Sequence, residues 1–247
     1  MKLALLADLH ANLEAVEACL DHARREAAEA FAFLGDLVGY GADPVAVLDV
    51  VAAHAAQGAI VVRGNHDAAV LELGAETMHR SAEAAIAWTR ARLEDRHRAF
   101  LASLPLLVRR GAAVFVHASA DRPEDWTYVT DPLRAEQSLD AAAAPFVFCG
   151  HVHEPVLYFT GAASRPVPFH PVPGVPIPVP ARRRCLAVVG SAGQPRDGKT
   201  AACWALWDDA RERLTFHRVP YDVAAAAAKV RAAGLPERLA HRLERGE

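Results

Sequence analysis

Three apolar runs alternate with two helical segments in the first 62 residues, and this alternation is the feature that most constrains the fold. The runs cover residues 2–7, 31–34 and 59–62. The segment 11–30 and the segment that opens at Asp43-Pro44 repeat apolar side chains at helical spacing. Buried strands joined through helices form a parallel sheet. Ligands bind such sheets beyond the carboxyl ends of the strands, so the polar residues after each run are candidates for a site.

The rest of the chain adds strands before and after further helices. The predicted strands are residues 104–108, 112–116, 146–149, 156–160, 185–189, 202–207 and 214–219, and the predicted helices are 76–98, 131–143, 222–233 and 236–245. Residues 104–116 form a hairpin in this prediction, and so do residues 202–219. This order indicates an α/β protein with two sheets packed face to face and helices outside. Because no linker is evident, we expect one domain over residues 1–247.

Residues 165–180 interrupt this pattern with seven prolines in sixteen residues. Proline removes a backbone donor, so the segment cannot be a helix or a central strand. We expect an extended excursion over the surface. Two roles remain open for it: a rigid connector, or a rim over the active site or a subunit contact.

Composition excludes several classes of protein. Hydrophobic residues make up 52% and charged residues 23%, which is typical of a soluble globular protein. The net charge of −3 does not support a nucleic-acid partner, which would require a basic excess. The N-terminal apolar run is interrupted too early for a signal peptide, and no run of about 18 apolar residues predicts a membrane span. Four scattered cysteines without a CxxC pair are typical of buried thiols in a reducing cytoplasm, so we expect a cytoplasmic protein.

Polar groups of metal-ligand type follow five of the predicted strands. Asp8-Leu9-His10 and His151-Val152-His153 place donors at i and i+2, on the same side of an extended chain. The seven candidates are Asp8, His10, Asp36, Asn65, His117, His151 and His153. Oxygen and imidazole donors without a thiolate suit Mn, Fe, Zn or similar divalent ions. Seven donors exceed what one ion needs, whereas two ions that share a carboxylate use them all.

The ordered motifs also carry a resemblance to a known family. Asp8-x-His10, Gly35-Asp36, Gly64-Asn65-His66-Asp67, His117 and Gly150-His151-x-His153 together resemble the calcineurin-like metallophosphoesterase superfamily. Residues 8–15 and 190–198 are similar to a bacterial subgroup described as diadenosine-tetraphosphatase-like or as predicted phosphodiesterases. The resemblance implies a four-layer α/β/β/α sandwich of two mixed sheets flanked by helices.

The resemblance also implies roles for the motif residues. One metal ion would be held by Asp8, His10, Asp36 and His153, and the other by Asp36, Asn65, His117 and His151. Asp36 would bridge the two ions, and a bridging hydroxide would attack phosphorus in line with the leaving group. The matching histidine of the family stabilises or protonates the leaving oxygen, so we predict that His66 is the general acid. A hydrogen bond from His66 to a metal ligand is the alternative.

The chain departs from the family after the Gly-Asp motif. Protein Ser/Thr phosphatases and symmetrical dinucleoside tetraphosphatases carry Asp-Arg or Asn-Arg there, and the arginine binds phosphate. Gly39 and Tyr40 stand in these places, which argues against a protein phosphatase and weakens the tetraphosphatase assignment. Tyr40 is predicted either to contact the substrate or to pack. Arg63 and Arg196 are candidate phosphate contacts, with structural salt bridges as the alternative.

We therefore predict a phosphoesterase that depends on two metal ions and hydrolyses phosphodiesters or small nucleotide phosphates. Two alternatives remain: a metal-binding scaffold with weak or lost catalysis that acts through protein contacts, or a nuclease. The expected partner is a small phosphate ester, and neither a membrane nor a nucleic acid is expected. A homo-oligomer stays open, since symmetric dimers are the commonest assembly.

Overall fold

Two six-stranded sheets form the centre of the computed structural model, which describes residues 1–72, 78–161 and 165–247. The strands in the described residues are β1 (Lys2–Leu6), β2 (Ala30–Leu34), β3 (Ile60–Val62), β4 (Leu107–Arg110), β5 (Ala113–Val116), β6 (Phe146–Cys149), β7 (Val156–Phe159), β8 (Val167–Phe169), β9 (Ile177–Pro178), β10 (Cys185–Val188), β11 (Ala202–Asp208) and β12 (Arg213–Val219). The first sheet has the order β3-β2-β1-β11-β12-β9, and the second has the order β4-β5-β6-β10-β7-β8. Both sheets mix parallel and antiparallel pairs.

Helices cover the outer faces of both sheets. They are α1 (Leu13–Arg25), α2 (Pro44–Ala56), α3 (Asn65–Val70), α4 (Arg80–Arg90), α5 (Asp95–Ser103), α6 (Pro132–Ala142), α7 (Val223–Ala232) and α8 (Glu237–Arg245). α1 and α2 pack on the first sheet, and α6 packs on the second. The predicted α/β/β/α sandwich is confirmed. Within the described residues, none of these helices combines the length and the apolar character needed to cross a bilayer.

The continuous apolar runs of the N-terminal strands follow from burial on both faces. Leu3 and Leu5 of β1 point into the core between the sheets, while Ala4 and Leu6 point toward the helices. Parallel pairing of β1 with β2 and of β2 with β3 brings the carboxyl ends of all three strands to one edge. β5 and β6 of the second sheet are also parallel. The residues that follow all five strands can therefore meet.

The segment predicted as one helix over residues 76–98 contains two helices, so the prediction of one continuous helix was wrong. Residues 76 and 77 lie outside the described residues. α4 ends at Arg90 and α5 begins after Glu94. Leu93, between them, is buried in the core beneath α1 and α2. The Arg98 guanidinium donates to the carbonyl oxygens of Arg90 and Leu93 at 2.8 and 2.9 Å. The chain turns because this turn buries a leucine and satisfies the carbonyls that a helix end leaves free.

The proline-rich segment supplies an edge strand to each sheet. β8 pairs only with β7 in the described sheet, and β9 pairs in the same way with β12. Edge positions tolerate proline because one side of the strand has no ladder to complete. The prediction that this segment is neither a helix nor a central strand is confirmed. A role as a rim or subunit contact stays a prediction.

Candidate metal centre

All seven predicted donor residues meet at the edge where strands of both sheets end. They are Asp8, His10, Asp36, Asn65, His117, His151 and His153, and each is at most 6% exposed. Buried charged and imidazole groups at this density are rare unless they are paired or bind a metal. The sequence pattern therefore identified residues that the fold does bring together.

Asp36 lies at the centre of the cluster. Its Oδ1 accepts a hydrogen bond from the backbone N–H of His66 at 2.8 Å. Its Oδ2 lies 3.7 Å from Nε2 of His10 and 3.4 Å from Nε2 of His117. One oxygen is thus held by the backbone, while the other faces imidazoles on both sides. Asp36 therefore lies between His10 and His117.

Asp8, His10, Asp36 and His153 form one group of donors, whose ligand atoms all lie within 4.8 Å of one another. Nε2 of His153 lies 3.0 Å from Nε2 of His10 and 3.4 Å from Oδ1 of Asp8. The Asp8 carboxylate also accepts the His151 N–H, at 2.9 and 3.1 Å, which links this group to the second one.

The second group contains Asp36, His117 and His151, with Asn65 beside them. Nε2 of His117 lies 3.1 Å from Oδ1 of Asn65 and 3.1 Å from Nδ1 of His151. Nε2 of His151 is buried and has no hydrogen-bond partner among the described residues. Asp36 is therefore the residue common to both groups.

Backbone carbonyls orient three of the four histidines. Nδ1 of His10 faces the Val38 oxygen at 3.2 Å, and Nδ1 of His117 faces the Leu34 oxygen at 2.7 Å. Nδ1 of His153 faces the Gln194 oxygen at 2.5 Å. When Nδ1 donates to a carbonyl, the Nε2 lone pair is left for a metal ion. The residues present therefore fit a metal on the basis of their own hydrogen bonds.

Burial and neighbouring charges shift the pKa values of the groups in the cluster. Burial raises the pKa of Asp8 to about 8 and lowers the pKa of both His10 and His153. Burial opposes ionisation of Asp36, but His117 and His66 outweigh it and hold the pKa of this carboxyl well below its usual range. Burial also opposes the charged form of His117, yet Asp36 raises the pKa of His117 to about 10. Without metal, protons bound to Asp8 and His117 therefore reduce the negative charge of the cluster. The binding of divalent ions would release these protons.

The loops that present these groups are sharply turned. Asp8, His10, Asp36, His151 and His153 all have positive φ angles, between 46° and 68°. Such strain is usually found at functional sites, where the surrounding structure enforces it. A Cβ on Gly64 would lie 2.2 Å from Oδ1 of Asp36, so only glycine fits here.

Asp67 joins two of these loops. Its Oδ1 accepts the backbone N–H groups of Leu37 and Val38, at 2.9 and 3.2 Å. Its Oδ2 accepts the N–H of Gly64 at 2.9 Å, at the start of α3. The Gly-Asn-His-Asp motif thus begins a short helix, and Asp67 fastens that helix to the loop after β2.

His66 is buried between two rings, 4.9 Å from the His10 ring and 4.4 Å from the Tyr40 ring. Its Nδ1 has no hydrogen-bond partner among the described residues. Gly39 has a φ of +87°, and a Cβ there would lie 2.4 Å from this Nδ1. The ring therefore occupies the space that a side chain at position 39 would need.

Arg196 and Arg63 are placed differently. The Arg196 guanidinium lies 5.7 Å from the Tyr40 ring, and its charge contributes to lowering the pKa of His66 and His153. The Arg63 guanidinium instead reaches the carbonyl oxygen of Ala102 in α5, at 3.5 Å. The structure therefore brings Arg196, but not Arg63, toward the donors.

Several residues of the site were not predicted. Arg242 of α8 lies close enough to Arg196 and Tyr40 to interact electrostatically with both. Tyr128 stacks on the His151 ring, with ring centres 3.9 Å apart. Nothing in the local sequence of α8 distinguishes Arg242 from its neighbours.

The loop over residues 190–198 is also part of the site. Nδ2 of Asn12 donates to the Gly193 oxygen, and Oγ of Ser191 donates to the Asp8 oxygen, both at 2.8 Å. The similarity of residues 190–198 to a subgroup loop was the only signal in the sequence for these contacts.

Comparisons with known proteins agree with this geometry. The model of the calcineurin-like phosphoesterase superfamily domain matches residues 1–209. The chain belongs to this superfamily. A calcineurin-like phosphoesterase of this kind is metal-dependent, and the two donor groups are its candidate metal sites.

Individual proteins are similar to this chain over 98–100% of its length. A metallophosphoesterase from Sphaerobacter thermophilus is 36% identical, with a TM-score of 0.87 over 100% of this chain and 99% of its own. The hypothetical protein PH1004 from Pyrococcus horikoshii shares the fold at 19% identity, with a TM-score of 0.81 over 100% of this chain and 98% of its own. The uncharacterized protein MJ0912 of Methanocaldococcus jannaschii is 31% identical over 98% of this chain and 96% of its own length.

Proposed function

We propose that this calcineurin-like phosphoesterase hydrolyses phosphodiesters or small nucleotide phosphates with the help of two divalent metal ions. The observation that carries the proposal is the position of Oδ2 of Asp36, which faces His10 on one side and His117 on the other. When bound, the ions supply an activated water and offset the charge of the phosphoryl oxygens. Manganese, iron and zinc all suit this donor set.

The two donor groups support an assignment of residues to each of the two ions. Asp8, His10, Asp36 and His153 hold one, and Asp36, Asn65, His117 and His151 hold the other. The hydrogen bonds to the carbonyls of Val38, Leu34 and Gln194 keep three imidazoles turned toward the ions. These contacts preorganise the centre before metal binds.

His66 is the proposed proton donor to the leaving oxygen. It is 4% exposed, yet its Nδ1 is left without a partner in the described chain, because Gly39 offers none. Burial lowers the pKa of His66, while Asp36 opposes that shift and favours the charged form. A positioned histidine of this kind contributes about 10²–10⁴-fold to the rate by proton transfer.

Arg196 and Arg242 are the proposed contacts of the substrate phosphate groups. Nε of Arg196 is buried without a partner among the described residues. Arg196 interacts electrostatically with Asp8, His10 and His66. These arginines meet at Tyr40, the position at which the related phosphatases carry their phosphate-binding arginine. Two neighbouring guanidinium groups favour a substrate that carries more than one anionic group.

The reaction is tested with bis-p-nitrophenyl phosphate and p-nitrophenyl phosphate in the presence of manganese, before and after chelation. We expect diesterase activity that exceeds monoesterase activity and is lost with the metal. Elemental analysis should find two ions per chain that disappear in Asp36→Asn. A protein that binds both ions but hydrolyses neither compound, nor any cyclic nucleotide or dinucleoside polyphosphate, would contradict the proposal.

The role of His66 is tested by His66→Asn. We expect the metal content to stay at the wild-type value and kcat to fall by about 10²–10⁴-fold on substrates with poor leaving groups. The exposed His79 at the start of α4 provides the control, since His79→Asn should leave kcat unchanged. If kcat of His66→Asn on substrates with poor leaving groups were unchanged, His66 would not be the general acid.

A further inference from the structure

A second cluster of metal-ligand type lies outside the catalytic centre, between α1 and the outer face of the first sheet. His22 stands in the last turn of α1, Glu26 caps that helix, and His217 lies on β12. One ligand atom from each of these three residues lies within 4.8 Å of the other two. Asp8 and His10 of the catalytic centre precede the opposite end of α1, where Asn12 is the N-cap.

Strand and helix periodicity explain why the three residues meet. Leu214 and Phe216 of β12 point into the core between the sheets. His217 therefore points the other way, toward α1. His22 and Glu26 are four residues apart in sequence, so they share one face of the helix end. The site is formed by secondary structure and not by flexible loops.

The imidazoles lack the partners that buried polar groups normally have. Nδ1 of His22 and Nε2 of His217 are buried, and neither has a hydrogen-bond partner in the part of the chain that the structure describes. His217 is only 8% exposed. Unpaired buried groups of this kind are uncommon and are typical of places where a water or an ion binds.

The environment keeps both histidines in the form that binds metal. Burial lowers the pKa of His22 and lowers the pKa of His217 to about 4, so both are neutral near pH 7. The His217 ring stacks on Trp204, with ring centres 4.5 Å apart, and this contact restricts its orientation. The carbonyl end of a helix also favours a cation.

We propose that His22, Glu26 and His217 bind a zinc ion at this position, separate from the catalytic centre. Two imidazoles and one carboxylate are a known zinc donor set that leaves the fourth position to water. Zinc holds such donors at about 2.0–2.2 Å, which places neighbouring donors of a tetrahedron roughly 3.4 Å apart. Side-chain rotation at the half-buried His22 and Glu26 can close the observed spacing. The ion would fasten the end of α1 to β12.

The test uses the full chain without a histidine tag, with bound zinc counted by elemental analysis after equilibrium dialysis. We expect Glu26→Gln and His217→Gln each to hold one zinc ion fewer per chain than the wild type. Glu26 is partly exposed, so its variant does not depend on repacking the core. Glu17→Gln is the control, since it removes the same charge from the exposed side of α1 and should leave the zinc content unchanged.

The stacking of His217 on Trp204 provides an independent measurement. Cu²⁺ bound at His217 should quench Trp204 fluorescence, and the titration is done in Trp126→Phe, because Trp126 lies 6.0 Å from the His117 ring. We expect the quenching to disappear when Trp204→Phe or Glu26→Gln is added. Equal zinc content in the wild type and both site variants would overturn the proposal, as would quenching that survives Glu26→Gln.

Discussion

Replacement of Asp36 by asparagine should remove both metal ions from the catalytic centre. The His66 N–H donates to Oδ1 at 2.8 Å, so the asparagine must keep its oxygen at that position. Its amide nitrogen then takes the place of Oδ2, which lies 3.7 Å from Nε2 of His10 and 3.4 Å from Nε2 of His117. An amide NH₂ group has no acceptor site for a cation. The substitution therefore removes the shared ligand as well as its charge.

The size of the effect follows from the linkage between binding and folding. An ion present at one hundred times its Kd adds about 2.7 kcal/mol to the free energy of unfolding, so two ions add about 5 kcal/mol. For a chain of this length, each kcal/mol shifts Tm by about 2–4 °C. Manganese should thus raise the Tm of the wild type by about 10–20 °C and leave the Tm of Asp36→Asn nearly unchanged.

Variants of the unshared ligands separate the two sites. His10→Gln and His151→Gln each remove a ligand of one group only, so each should keep about half of the manganese-induced shift. Tm is measured by scanning fluorimetry, and bound manganese is counted in parallel. All variants carry Glu26→Gln, so that an ion between α1 and β12 is not counted. If Asp36→Asn kept one manganese ion and half of the shift, Asp36 would belong to a single site and the bridging argument would fail.

Three further predictions concern the surroundings of the catalytic centre and the cluster of His22, Glu26 and His217. Gly39→Ala and Gly58→Ala introduce a side chain at φ angles of +87° and +92°, and each should lose about 1–2 kcal/mol of stability. Only Gly39→Ala should also lower kcat, because its Cβ would displace the His66 ring, whereas nothing lies within 4 Å at Gly58. Arg196→Gln should raise KM about tenfold or more at unchanged metal content, since a charged hydrogen bond contributes about 1.5–3 kcal/mol. Burial lowers the pKa of His217 from 6.5 to about 4. The unfolded chain therefore binds this proton first, so between pH 7 and pH 5 the metal-free protein should lose on the order of 2 kcal/mol more stability than metal-free His217→Gln.

Each of these predictions has a clear contrary result. Equal losses of kcat in Gly39→Ala and Gly58→Ala would assign the effect to backbone strain and not to His66. An unchanged KM in Arg196→Gln would leave this guanidinium a structural role on Tyr40. Urea unfolding of the metal-free protein at both pH values measures the last prediction, and parallel pH profiles for wild type and His217→Gln would refute it.

The donors could be predicted from sequence because each depends on a short stretch of chain. An apolar run defines a strand, and the polar residue at its end lies at the edge of a parallel sheet. Asp8, Asp36 and Asn65 follow β1, β2 and β3 in this way, and the hairpin of β4 and β5 delivers His117. The two-residue spacing of the histidines at 151 and 153 needed no knowledge of the rest of the fold.

Features that depend on contacts distant in sequence were not predictable. The break between α4 and α5 depends on the burial of Leu93 in a core that also contains residues of α1 and α2. The proline-rich segment pairs with β7 and β12, and no local pattern names those partners. Arg242 reaches Tyr40 only because α8 packs near the loop after β2.

The carbonyl groups that orient the histidines could not be predicted from the sequence. Val38, Leu34 and Gln194 act on the centre through backbone oxygens that every residue possesses. Their side chains therefore carry no trace of this role, and a substitution at these positions can preserve it. What the chain must preserve is the path of the loops, and the residues that hold that path are Asp67, Asn12 and Ser191. The histidine tautomers therefore depend on Asp67, Asn12 and Ser191, and none of these side chains is among the proposed metal ligands.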